Sequence, residues 1–134
     1  MQGNTARVDS VMQTKLLFID GLSSVSEALR MMRSNGVSSL VIAKRHEGDE
    51  FGFLTVNEIA DRVIALNKPL GRTAVYEVMD KPILMISPDM QVKYAVRLLS
   101  QLNRRRALVT DDSGLLGFVS LRDLVLSYAD IGEK

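Results

Sequence analysis

Gly52-Phe53-Leu54-Thr55-Val56-Asn57-Glu58 is matched further along the chain by Gly117-Phe118-Val119-Ser120-Leu121-Arg122-Asp123. Each stretch is a glycine, two apolar residues, a hydroxyl residue and, three positions on, an acid. Working outward, Val11-Met12 corresponds to Val78-Met79, Val25 to Val92, Ala28 to Ala95 and Arg30 to Arg97. The offset is 67 residues at these upstream positions and 65 at the glycines, so the first copy carries two extra residues. A chain that repeats itself in this way builds one supersecondary unit twice.

Each copy predicts the same order of elements. Leu16-Leu17-Phe18-Ile19 reads as a short buried strand, and Val25, Ala28, Leu29 and Met32 recur at helical spacing across residues 24–33. Asn35-Gly36 stops that helix, because both residues tolerate the left-handed cap conformation. Strands over 40–43 and 51–55 then flank a polar loop, 44–50, and a helix from Val56 carries Ile59, Val63 and Leu66 on one face. The second copy repeats this over 83–86, 92–102, 107–110, 115–120 and 121–128. The class is α+β, with the order β-α-β-β-α occurring twice. Pro69 and Gly71 break regular structure between the copies. Each half, about 60 residues, is marginal alone, so the expected result is one domain in which the two halves pack with approximate two-fold symmetry.

Composition excludes several function classes. The chain has 134 residues with 17 basic against 16 acidic side chains, so it lacks the broad positive field of non-specific nucleic-acid binders. It has no cysteine, which removes disulfides, thiolate nucleophiles and sulfur metal sites. Its apolar runs fall far short of the roughly 20 residues of a membrane span, and the N-terminus lacks a signal-peptide core. A cytoplasmic protein that binds neither nucleic acid nor membrane is expected. His46, the single histidine, sits in the polar loop Arg45-His46-Glu47-Gly48-Asp49-Glu50, which reads as solvated rather than metal-binding. With no P-loop, Gly-x-Gly-x-x-Gly or Ser/His/Asp set, no catalytic activity is expected.

The doubled order of elements, with Val-Met ahead of each first strand and Gly-h-h-(Thr/Ser)-x-x-acid at a strand-to-helix turn, resembles the CBS motif. Two in tandem resemble a CBS pair, or Bateman module, here with motifs at 7–66 and 74–130 joined by a linker, 67–73. The resemblance implies that an adenosine-containing nucleotide (AMP, ADP or ATP, NAD(H) or S-adenosylmethionine) binds in a cleft between the motifs. Asp123 would then receive the ribose hydroxyls and Ser120, after Phe118, would lie near the phosphates. Thr55 corresponds to Ser120, but Glu58 stands where the aspartate is expected. Arg105 and Arg106, at the start of a strand, match the basic positions that reach phosphate in this family, with Ser38 and Ser39 as their uncharged counterparts. The base slot implied for the Asp123 site is the first strand, Phe18 and Ile19. For the other site it is the strand ending at Ile86. Homodimerisation through apolar helix faces such as Ile59, Val63 and Leu66 is also implied, as is a regulated partner protein.

The same residues carry simpler readings. Thr55-x-x-Glu58 and Ser24-x-x-Glu27 both fit a helix capping box. A strand ending at Ser120 and turning into a helix leaves N–H donors that an anion could meet. Arginines after a helix C-terminus are favoured by about 0.3 to 1 kcal/mol without any ligand. Two functions therefore stand beside each other: a nucleotide-sensing regulatory module, or a structural dimerisation module with empty clefts. The first is better supported at Asp123, the second at Glu58.

Overall fold

A computed structural model of the chain describes residues 6–131. The strands of each copy form a separate three-stranded sheet. In the first, β1 (Phe18–Ile19) runs parallel to β2 (Ser39–Ile42), which is antiparallel to β3 (Gly52–Thr55). The parallel pair needs a crossover, supplied by helix α1 (Val25–Asn35). Short helix α2 (Val56–Ile59) follows β3 directly. The second sheet repeats this with β4 (Met85–Ile86), β5 (Arg106–Asp111) and β6 (Gly114–Ser120), crossed over by α3 (Val92–Gln101). Helix α4 (Leu121–Leu126) continues from β6, and α5 (Tyr128–Ile131) follows a break at Ser127. The α+β class and the doubled order hold.

Local chemistry sets the helix ends. At α1 the Ser24 hydroxyl accepts from the Glu27 N–H at 3.1 Å while the Glu27 carboxylate accepts from the Ser24 N–H at 2.9 Å. Gly36 closes the helix at φ 65°, and Asn103 does the same after α3 at φ 55°.

The helix expected to carry Ile59, Val63 and Leu66 on one face does not do so. After Ile59 the chain widens into a π-helical stretch, Ala60–Ile64, with Ala65 N–H donating to the Ala60 carbonyl at 2.8 Å. It then turns through Asn67 at φ 60°. Ile59 and Val63 are buried, but Leu66 lies beyond the widened turn and is 61% exposed. Ile59 and Val63 are thus spent on their own core and are not a face for a second copy.

Packing divides the chain differently from the repeat. One compact unit is Leu17–Ile83; the other joins residues up to Leu16 with those from Leu84 onward. Val75 and Val78 bury with Ile19, Val25, Leu40 and Leu54 in the first unit. Val8 buries with Ile86, Val92, Leu99, Val119 and Leu124 in the second, and Met12 packs against that cluster. Each Val-Met segment therefore belongs to the sheet of the other copy. Met79 with Asp80 crosses over Gly52, and Met12 with Gln13 crosses over Gly117. A Cβ on Gly117 would collide with the Gln13 carbonyl oxygen; one on Gly52 would meet the Met79 sulfur at 2.6 Å.

The loop expected to be solvated is exposed at residues 44–48 and at Glu50, and Asp49 anchors it. Asp49 accepts from the Arg45 backbone N–H at 2.9 Å and Nε at 3.0 Å, and from Lys81 Nζ at 2.8 Å. Its side chain is only 8% exposed. The Arg45 guanidinium first, then Lys81, holds its carboxyl well below the usual carboxylate range.

Candidate functional site

The junction of β6 and α4 gathers the charged residues singled out in the second copy. Ser120 has an extended backbone, so it ends the strand and caps the helix at once: its Oγ accepts from the Asp123 N–H at 3.0 Å. The Leu121 N–H donates to the Arg105 carbonyl at 2.8 Å. Two donors expected to face an anion are therefore already bonded within the protein. The Asp123 carboxylate itself takes no part in the cap. Its Oδ2 accepts from Gln13 Nε2 at 3.2 Å, its Oδ1 lies 3.7 Å from the Arg122 guanidinium, and the side chain is 24% exposed.

Arg106 begins β5 directly opposite Ser120 and is half-buried, whereas Arg105 lies one residue before the strand with its side chain exposed. Among the described residues no carboxylate forms an ion pair with either. Phe118 is half-buried on β6, and its N–H and C=O bond the main chain of Gln13 at 3.0 and 2.8 Å. This double bond pattern brings the Gln13 side chain to Asp123.

The corresponding junction of the first copy is arranged otherwise. Glu58 folds back on Thr55, its Oε1 accepting from the Thr55 N–H at 2.7 Å and from its hydroxyl at 2.8 Å. The same hydroxyl accepts from the Asn57 N–H at 3.1 Å. Thr55 is 2% exposed. The capping box is complete, and it engages both the hydroxyl and one oxygen of the acid. Ser39 is half-buried opposite Thr55, while exposed Ser38 accepts the Val56 N–H at its carbonyl, 3.2 Å away. Where the sheet of the second copy meets Gln13, that of the first meets Asp80, bonded to Phe53 by the same two main-chain contacts, 2.8 and 2.9 Å. Its carboxylate takes Arg62 at 3.2 Å, and Arg62 also donates to the Val78 carbonyl at 2.8 Å.

The residues named for the base slots divide by strand alternation. Ile19 and Ile86 point into their cores at 6% and 5% exposure. Phe18 and Met85, one residue earlier, face outward at 45% and 43%. The Phe18 ring meets Phe51 at 6.3 Å between centroids, and Lys44 Nζ stands 4.9 Å from the Phe51 ring centre. Reading the sequence did not single out Gln13, Asp80 or Arg62. The available signal was positional: Gln13 and Asp80 each follow a Val-Met pair, 67 residues apart.

The family model described as CBS domain matches twice, over residues 8–65 and 75–130. An uncharacterised protein of Methanopyrus kandleri is 31% identical over 96 residues, 70% of this chain and 48% of that protein, so the chain spans about half of it. The CBS domain-containing protein YhcV of Bacillus subtilis is 29% identical over 120 residues, 90% of this chain and 84% of its own. Among solved structures, a hexameric CBS-CP12 protein from bloom-forming cyanobacteria aligns with a TM-score of 0.88 at 28% identity, covering 97% of this chain and 73% of that one. Two ligand complexes share the fold at lower identity. The CBS domain pair of protein MJ0100, in complex with 5′-methylthioadenosine and S-adenosyl-L-methionine, has a TM-score of 0.77 at 21% identity and covers 97% of this chain and 99% of that one. The CBS domain of a bacterial CNNM/CorC family Mg2+ transporter, in complex with ATP, has 0.76 at 17%, covering 96% and 90%.

Proposed function

This chain belongs to the CBS domain family, with two such domains in tandem, and from that premise we propose that it is a regulatory module binding an adenosine-containing ligand through Asp123. The observation that carries the reading is the unequal state of the two acids. Glu58 is engaged in a closed capping box, whereas the Asp123 carboxylate stands clear of its cap. A ribose diol offers two O–H donors. An ionised carboxylate has about four acceptor positions, of which Gln13 occupies one, so both hydroxyls can be received. The Ser120 hydroxyl accepts one bond and keeps its own proton to donate. Arg106 and Arg105 supply positive charge in a planar form suited to phosphate. The adenosine ligands held by related CBS folds support the ligand class. AMP, ADP and ATP are the first candidates, ahead of NAD(H) and S-adenosylmethionine.

The module acts on a partner protein rather than catalysing a reaction, in a cytoplasmic setting and as a homodimer. Exposed apolar residues support self-association: Ile64 at 59% and Leu66 at 61% after α2, with Val125 at 50% and Leu126 at 52% on α4. The closed box at Thr55 and Glu58 favours a structural role for the first copy's junction.

Titrating the purified chain with the five ligand types while following thermal unfolding tests the reading. A ligand at 100 times its dissociation constant stabilises the fold by about 2.7 kcal/mol, an easily visible shift. If no member of the panel moves the midpoint, the module is structural only.

A further inference from the structure

We infer that Gln13 is a positioning residue of this nucleotide site: its carboxamide sets the plane of the Asp123 carboxylate for the two ribose hydroxyls. The inference rests on the Asp123 reading and adds a residue from the far end of the chain. A partly exposed aspartate turns freely about its last torsion, and the two hydroxyls of a ribose demand one orientation of it. Gln13 Nε2, 3.2 Å from Oδ2, supplies the bond that selects an orientation.

That amide is itself held. The Gln13 main chain bonds Phe118 in both directions, at 2.8 and 3.0 Å, across a glycine that admits it. Upstream, Val8 is fully buried and its N–H donates to the Met90 carbonyl at 2.8 Å, while Arg7 pairs with Asp9 and Asp89 at 2.7 Å each. Residues 7–13 thus form a fixed arm that ends at the carboxylate. The first copy supplies the contrast. It keeps the main-chain bridge, Asp80 to Phe53, but carries there an acid, which has no proton to give another carboxylate and turns to Arg62 instead. The amide donor occurs at the junction whose acid stands clear of its cap.

The test compares AMP with 2′-deoxy-AMP on the full chain, by calorimetry, for wild type, Gln13→Ala and Gln13→Met. Methionine keeps the length of the side chain and lacks the donor. Wild type should prefer AMP. Both variants should bind AMP about three- to tenfold more weakly, the effect of one lost hydrogen bond, with the AMP preference compressed because the diol is no longer oriented. Their melting midpoints should stay within about 3 °C of wild type, since Gln13 is exposed. Variants that bind AMP as tightly as wild type, or more tightly, would show the amide to be neutral or a competitor. Equal loss for both nucleotides would show a general structural effect. Either result overturns the inference while leaving Asp123 in place. A wild type that binds neither nucleotide would instead remove the Asp123 reading and this inference with it.

Discussion

One methylene separates Asp123 from Glu58, and its consequence is geometric. At the third position of a helix, a glutamate is long enough to reach back to the cap N–H, as Glu58 does at 2.7 Å. Asp123 leaves its own cap to the Ser120 hydroxyl, and its carboxylate remains free of the box. Asp123→Ala should weaken nucleotide binding by about 1.5 to 3 kcal/mol, the range for hydrogen bonds to a charged group. Glu58→Ala should leave binding unchanged but lower stability by about 1 to 2 kcal/mol, because the Thr55 N–H loses its partner in a buried setting; chemical denaturation would measure the loss. The glycines differ in the same local way. Gly117→Ala should cost about 1 to 3 kcal/mol, since the obstacle is the Gln13 backbone, and Gly52→Ala less, because the methionine tip facing it can move. Denaturation midpoints of equal size for the two would contradict that. The capping pattern of Thr55 and Glu58 was legible in the sequence because it is written within four residues. Gln13 was not, because its contact with Asp123 joins positions 110 residues apart.

At the scale of elements, the sequence pattern located the six strands and helices α1 to α4, but not the short 3-10 helices Val8–Ser10, Leu70–Arg72 and Val75–Glu77 or the separate α5, and the element ends depended on longer contacts. The first strand of each copy shrank to the two residues that pair with its neighbour. The turn beyond Ile59 widened into a π-helix, which no side-chain pattern announces, and Leu66 left the face assigned to it. The loop over 44–50 was polar as read, yet Asp49 makes it an ordered connection to Lys81. Because the folded state holds the Asp49 carboxyl below its ordinary value, its contribution to stability is present above about pH 4 and fades as the pH falls further. Asp49→Asn should therefore melt lower than wild type at pH 7, with the gap narrowing progressively as the pH falls below about 4. Parallel melting curves across that range would show the clamp to be energetically idle.

For the whole molecule, the repeat fixes what is built, and the crossing of the Val-Met segments fixes how it is joined. Val8 is fully buried among Ile86, Val92 and Leu124, residues more than 75 positions away. Val8→Ala should cost about 1.5 to 3 kcal/mol, with faster hydrogen exchange in β4, β5 and β6 rather than in β1, β2 and β3. The crossing also explains why both Gly and Val-Met recur: each glycine is the floor on which a Val-Met segment lies. The two strand-to-helix junctions, alike in these features, still differ where a ligand would be held, with Asp123, Gln13 and Arg106 at one and Glu58, Asp80 and Ser39 at the other. The most direct test is a calorimetric titration of AMP into wild type, Asp123→Ala and Glu58→Ala. The account predicts one AMP per chain, binding lost or much weakened in the Asp123 variant and unchanged in the Glu58 variant; two equivalent sites, or equal damage from both substitutions, would contradict it.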